Sequence, residues 1–166
     1  MVKISNGINK TDEQLFQIIY EKFLEKGNNY MSIEDISEEI KPLSLSREEL
    51  FESIEILGNY GLIIPNLSYN RTGGFIQING NGFEKYARSY REDYYSLFEI
   101  IPDKIVNGKL LTSKDIAENL QKPLWIVNLV LDNFIQNGFI KCQMTLDMNI
   151  HILELAPQFA RTFRKK

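Results

Sequence analysis

Residues 31–36 read Met-Ser-Ile-Glu-Asp-Ile, and residues 111–116 answer them with Leu-Thr-Ser-Lys-Asp-Ile. In both, a hydroxyl residue follows an apolar one, an Asp stands three positions later, and an Ile comes next. The match continues downstream. Leu50, Ile54, Leu57, Gly61 and Ile63 recur as Val127, Leu131, Phe134, Gly138 and Ile140. The offset shortens from 80 to 77 residues between the two stretches. The lost positions fall in the turn between two helices, where a change of length is cheap. One supersecondary unit that occurs twice is a stronger signal than either copy alone.

Working outward from the first copy, Thr11 or Asp12 caps a helix whose apolar residues Leu15, Phe16, Ile18, Ile19, Phe23 and Leu24 keep helical spacing, and Gly27 ends it. A second, short helix starts at Ser32 or Ile33, carries Ile36 and Ile40, and stops at Pro42. Ser46 with Glu49 forms a capping box for a third helix lined by Leu50, Ile54 and Leu57. Leu62, Ile63 and Ile64 read as a strand. A polar loop over 66–74 follows, and Phe75, Ile76 and Ile78 return as a second strand. In the second copy the hairpin strands are 139–144 and 150–155, around a loop near 145–149.

Between the copies, Phe83, Tyr86, Tyr90, Tyr94, Leu97 or Phe98, and Ile101 keep helical spacing without Gly or Pro. They predict either one helix closing the first domain and opening the second, or two helices meeting near Ser89. Pro102 is expected to kink or end the segment before Gly108. The fold class is α+β and mostly helical. The predicted divisions are a tail over 1–11, a first domain over 12–82, a helical connector over 83–101 that doubles as the first helix of the second domain, and the remainder over 102–166.

This order resembles the winged helix-turn-helix superfamily, in tandem. The residues that carry the likeness are Ser32-Ile-Glu-Asp-Ile36 with Leu50, Leu57 and Tyr60-Gly-Leu-Ile63, and Thr112-Ser-Lys-Asp-Ile116 with Val127, Phe134 and Asn137-Gly-Phe-Ile140. The resemblance implies two domains, each of three helices and a hairpin wing, joined by the helical connector. In most members the third helix enters the DNA major groove and the wing touches phosphate. Other members bind proteins, so fold alone does not assign the role.

The composition fits a globular chain, with 43% hydrophobic and 25% charged residues and a net charge of −3. Residues 1–82 hold 7 Lys and Arg against 12 Asp and Glu, and residues 83–166 hold 12 against 10. Attraction to phosphate is therefore expected in the second half. No apolar run approaches the roughly 20 residues of a membrane span, and the polar start lacks a signal-peptide core. Cys142 is the one cysteine, so no internal disulfide forms. A cytoplasmic location is the expectation.

The outward face of each third helix tests the superfamily's default role. In the first copy it carries Glu48, Glu49, Glu52 and Glu55, with Arg47 the one base. Major-groove readout uses chiefly Arg, Lys, Asn and Gln. An unpaired carboxylate about 4 Å from a phosphate costs about 1 kcal/mol in water. In the second copy the corresponding face carries Trp125, Ile126 and Leu129, followed by Asp132. It reads either as an exposed apolar patch for a protein partner or a homodimer, or as a surface covered within the chain. Candidate nucleic-acid contacts are Asn70, Arg71 and Thr72 in the first wing, Lys85, Arg88 and Arg91 along the connector, and Arg161, Arg164, Lys165 and Lys166 at the C-terminal end.

Nothing marks an enzyme. His151 and Cys142 lie in paired strands with no orienting third group. Ligand clusters with metal spacing are lacking, so neither metal nor cofactor is expected. Asn79-Gly-Asn-Gly82 fits no phosphate fingerprint and reads as a turn that needs positive φ. The function expected is a non-catalytic regulatory or assembly module binding a protein partner or itself through Trp125, Ile126 and Leu129. The alternative is a DNA-binding transcriptional regulator that uses the first wing, the connector and the basic end.

Overall fold

The computed structural model describes residues 7–164. It is an α+β chain of two compact units, Met1–Ser89 and Tyr90–Lys166.

The first unit opens with helix α1, Lys10–Lys26. Its N-cap is Asn9, two residues earlier than the sequence suggested, because Asp12 completes a capping box from the third helical position. Leu15, Phe16, Ile19, Tyr20 and Phe23 recur every third or fourth residue and are fully buried. The short helix expected after Ser32 does not form as an α-helix. Tyr30–Ser32 pairs instead as strand β1, and only two 3-10 turns follow, Glu34–Ile36 and Lys41–Leu43. Sheet pairing uses the residues that would have opened the helix. Pro42 also disfavours helical backbone at Lys41, leaving too few residues between for a stable α-helix.

Helix α2, Arg47–Asn59, carries the Ser46–Glu49 capping box read from the sequence. It buries Leu50, Phe51, Ile54 and Leu57. Gly61 turns the chain at φ 67°, where a side chain would be strained. Strands β2, Ile63–Leu67, and β3, Gly74–Ile78, form the hairpin, and the sheet order is β1-β3-β2, all antiparallel. Met31, Ile76 and Pro65 share one row and one face, and Ile63 and Ile78 pair on the same inward side.

Helix α3, Gly80–Tyr90, closes the unit. Here the expected turn at Gly80 and Gly82 is corrected, because both lie in the helix without positive φ. Gly82 is required by close approach. A Cβ there would run into the Leu62 carbonyl and the Tyr20 hydroxyl. That hydroxyl donates to the Leu62 carbonyl at 2.7 Å, and Tyr20 stacks on Tyr86 at 5.1 Å. The Asn79 side chain accepts from the Gly82 amide at 2.8 Å and donates to the Gly61 carbonyl at 3.0 Å. The Gly82 amide is thereby engaged with its own chain and not presented to a phosphate.

The second unit starts with α4, Glu92–Tyr95, and α5, Leu97–Val106. Of the two connector readings, the continuous helix is not what forms. Helical geometry lapses at Arg91, with φ −142° and ψ 79°. Pro102 does not end the segment either, since α5 runs through it. At the sixth helical position it forgoes one ladder bond, the one its amide would have made to the Phe98 carbonyl. Helix α6, Ser113–Leu120, is capped by the Thr112 side chain, which accepts from the Asp115 amide. Helix α7, Leu124–Gln136, packs on α5, α6 and the strand that follows it. Strands β4, Ile140–Met144, and β5, Ile150–Leu155, pair antiparallel with a bulge at Lys141 and Cys142. Thr112 adds a one-residue bridge to His151 on the other side of β5. A final helix, α8, Pro157–Phe163, was not read from the sequence. It seats Phe159 between Phe134 and Phe139, at ring separations of 5.2 and 5.7 Å.

Candidate functional site

The apolar patch expected on α7 is not open. Ile126 is 1% exposed and Leu129 is 3% exposed, while Trp125 is half-buried. Of the two readings of this face, coverage within the chain is the one that holds for Ile126 and Leu129, which are therefore not an open surface. The helix was assigned a single core stripe through Val127, Leu131 and Phe134. In fact Ile126, Leu129, Val130 and Asn133 are buried too, so more than half its circumference is covered. Apolar residues at nine of its 13 positions are the signature of a helix enclosed on more than one side.

On α2 the outward face is as acidic as expected, but its charges have occupations. Glu48 and Glu52 are exposed. Glu49 accepts from the Ser46 amide at 2.8 Å, and the Ser46 bonds hold its carboxyl below the usual range. Glu55 takes the guanidinium of Arg71 at 2.9 and 3.1 Å. Arg47 reaches across to the carbonyls of Arg71 and Thr72, the first at 3.1 Å. The loop after β2 is also bonded within itself. The Ser68 hydroxyl accepts from the amides of Thr72 and Gly73 at 3.0 Å each, and Asn70 accepts from the Thr72 hydroxyl at 2.6 Å. Asn70, Arg71 and Thr72 are thus brought together, yet their polar atoms face their own chain.

The other bases are similarly placed. Arg88 pairs with Glu84. Arg91 holds both oxygens of Asp93 at 2.9 and 2.8 Å and lies 4.6 Å from the Tyr94 ring. Its guanidinium keeps the Asp93 carboxyl below the usual range. Lys85 is half-buried. Arg161 and Arg164 are exposed at α8 and have no ion-pair partner among the described residues. Lys165 and Lys166 lie outside the described residues.

What the sequence reading missed is the apolar tip of the second hairpin. Leu146 is 105% exposed at its tip, flanked by Met144 and Met148 at 52% each, with Leu153 at 63%. Signals were present, since a connecting loop that reads Thr-Leu-Asp-Met-Asn spends two of five positions on large apolar residues. The loop is held from outside. Asn128 on α7 donates to the Met148 carbonyl at 2.8 Å. The Asn149 side chain accepts from the Ser113 hydroxyl and the Lys114 amide at 3.1 Å each. Lys114 also pairs with Asp147, whose carboxyl is pushed well below the usual range by that ammonium and by the Thr145 hydroxyl.

Cys142 and His151 do not form a pair. Cys142 stands opposite Ile152 and His151 opposite Gln143, so their side chains leave opposite faces of the hairpin. Burial raises the Cys142 thiol above its ordinary value, with a smaller push from Asp132, away from a reactive thiolate. Among the described residues, no three His, Cys, Asp or Glu side chains are placed to hold a metal, and no helix is long and apolar enough to cross a membrane. No protein-family model and no curated protein matches the chain.

Proposed function

We propose that the chain is a non-catalytic regulatory or assembly module of tandem winged-helix type that binds a protein partner or a second copy of itself. The contact surface is the second hairpin, not the α7 face. The observation that carries this reading is the apolar tip formed by Met144, Leu146 and Met148, left in water on a loop that three separate anchors hold in place. Burying side chains of this size stabilises a contact by roughly 1.5–3 kcal/mol each. A loop already ordered loses little entropy on binding.

The repeat and the helix-helix-hairpin order support the winged-helix part. The carboxylates of α2, and the pairing of Arg71, Arg88 and Arg91 with acids, support a partner other than DNA. Arg161 and Arg164 favour the second reading, a DNA-binding regulator held through α8 alone.

Titrating the full chain with a labelled random duplex, at low and at physiological salt, separates the two. The proposed function expects no salt-dependent binding. Binding that weakens steeply with salt, and is lost in the Arg161→Ala, Arg164→Ala double variant, would overturn it in favour of DNA.

A further inference from the structure

The three-stranded sheet of the first unit has a second face that the core does not use. Its register sets two rows of three side chains on that face. Tyr30, Gln77 and Ile64 form one row, and Ser32, Phe75 and Asn66 form the other. None of the six carries a charge. Tyr30, Ile64 and Phe75 are each 44–49% exposed. The Tyr30 and Phe75 rings stack across the two rows at 5.1 Å, inclined by 18°. The Gln77 and Asn66 amides are bonded to no other described side chain, so their donors and acceptors are open.

Size and charge narrow the occupant. Three strands about 4.8 Å apart, with two outward positions along each, cover on the order of 200 Å². A stable dimer or globular partner needs about 800 Å² from each side, so the patch is too small for either. It matches four or five residues of an extended peptide at about 3.1 Å per residue. An uncharged face repels neither sign but offers nothing to phosphate. Aromatic rings beside amide donors are the surface on which a polyproline II segment docks, because its rings stack and its carbonyls have no internal partners. Glu34 adds direction. It is exposed, follows β1, and lies beside Gly73 at the loop end of β3, with no ion-pair partner among the described residues.

We propose that this outward sheet face binds a short proline-rich peptide in polyproline II form, with a basic residue at the end nearest Glu34. The site is in the first unit and does not depend on the hairpin of the second, so either can fail alone.

The test is titration of the full chain with an arginine-capped nonaproline peptide, followed by amide chemical shifts. An arginine-capped Gly-Ser peptide of equal length is the control. Saturable shifts confined to the three strands and the turn at Glu34 are expected for the proline peptide only. Tyr30→Ala and Phe75→Ala are expected to weaken binding about tenfold each, as loss of a half-buried ring would. Glu34→Gln is expected to weaken it about threefold and to leave an uncapped nonaproline unaffected. Both aromatic side chains are exposed, and an unchanged thermal midpoint confirms that the variants fold. Equal binding of the Gly-Ser control, an absence of saturable shifts, or unaltered affinity in Phe75→Ala would each overturn the proposal. So would concentration-dependent shifts of the face without peptide, which would assign it to a second copy.

Discussion

The two hairpin loops occupy corresponding places in the repeat and are held by different means. The loop after β2 is organised from within, by Ser68 accepting from two of its own amides, and α2 then clasps it through Arg47 and Glu55. The loop after β4 closes on itself through Thr145, whose amide and hydroxyl both donate to the Asn149 carbonyl, and its side chains and carbonyls are then tied to Ser113 and Lys114 of α6 and Asn128 of α7. One tip sets a single exposed ring, Tyr69, among polar residues, and the other sets Leu146 between Met144 and Met148. A repeat therefore preserves where a loop sits while leaving open how it is fastened and what it displays.

The closing element differs most. Among the described residues, only the first unit seals its hairpin with a glycine against a backbone carbonyl, so Gly82→Ala is expected to cost about 3 kcal/mol, the upper end for forcing atoms into a packed site. Chemical denaturation resolves that loss. A loss below about 1 kcal/mol would mean that α3 can shift and that the closure is not rigid. Fastening is the next contrast. Ser113 is fully buried and accepts from the Ile150 amide at 2.9 Å, so Ser113→Ala strands that donor and is expected to cost about 1–3 kcal/mol. Ser68→Ala releases amides that water can reach, with an expected cost under about 1 kcal/mol. Equal losses in the two variants would erase the distinction between a loop fastened from outside and one fastened from within.

Acid supplies the smallest effect. Asp147 has a folded-state pKa below its ordinary value of 3.8 because Lys114 and Thr145 favour its charged form. Its contribution is thus complete at pH above 3.8 and disappears as pH falls through the folded-state value. Asp147→Asn is expected to flatten the stability profile of the chain on that acid side and nowhere else. An identical profile for both proteins would show that the pair with Lys114 adds nothing.

The helices α1, α2 and α6, and both hairpins, were legible because each combines a cap or a glycine with apolar residues at one clear period. The segment after Ser32 misled because its helical spacing competes with a strand partner 45 residues away, which no local window contains. At α7 the misreading came from forcing one narrow stripe onto a helix buried over more than half its circumference. Helix α8 had a signal in Pro157 at its first position and Phe159 and Phe163 four apart. The acidic face of α2 was visible residue by residue. Its pairings were not, because Glu55 and Arg71 meet only once the hairpin folds back.

The bond from Asn128 to the Met148 carbonyl is made to main chain, as are those that set the register of β4 against β5. The loop therefore keeps its shape whichever residue stands at 146, whereas 148, at φ 62°, takes only residues that accept left-handed backbone. Position 146 is free to drift, or to be randomised in a library, at little cost in folding. The second hairpin is in that sense a display site, on which new recognition can be selected without rebuilding the domain beneath it.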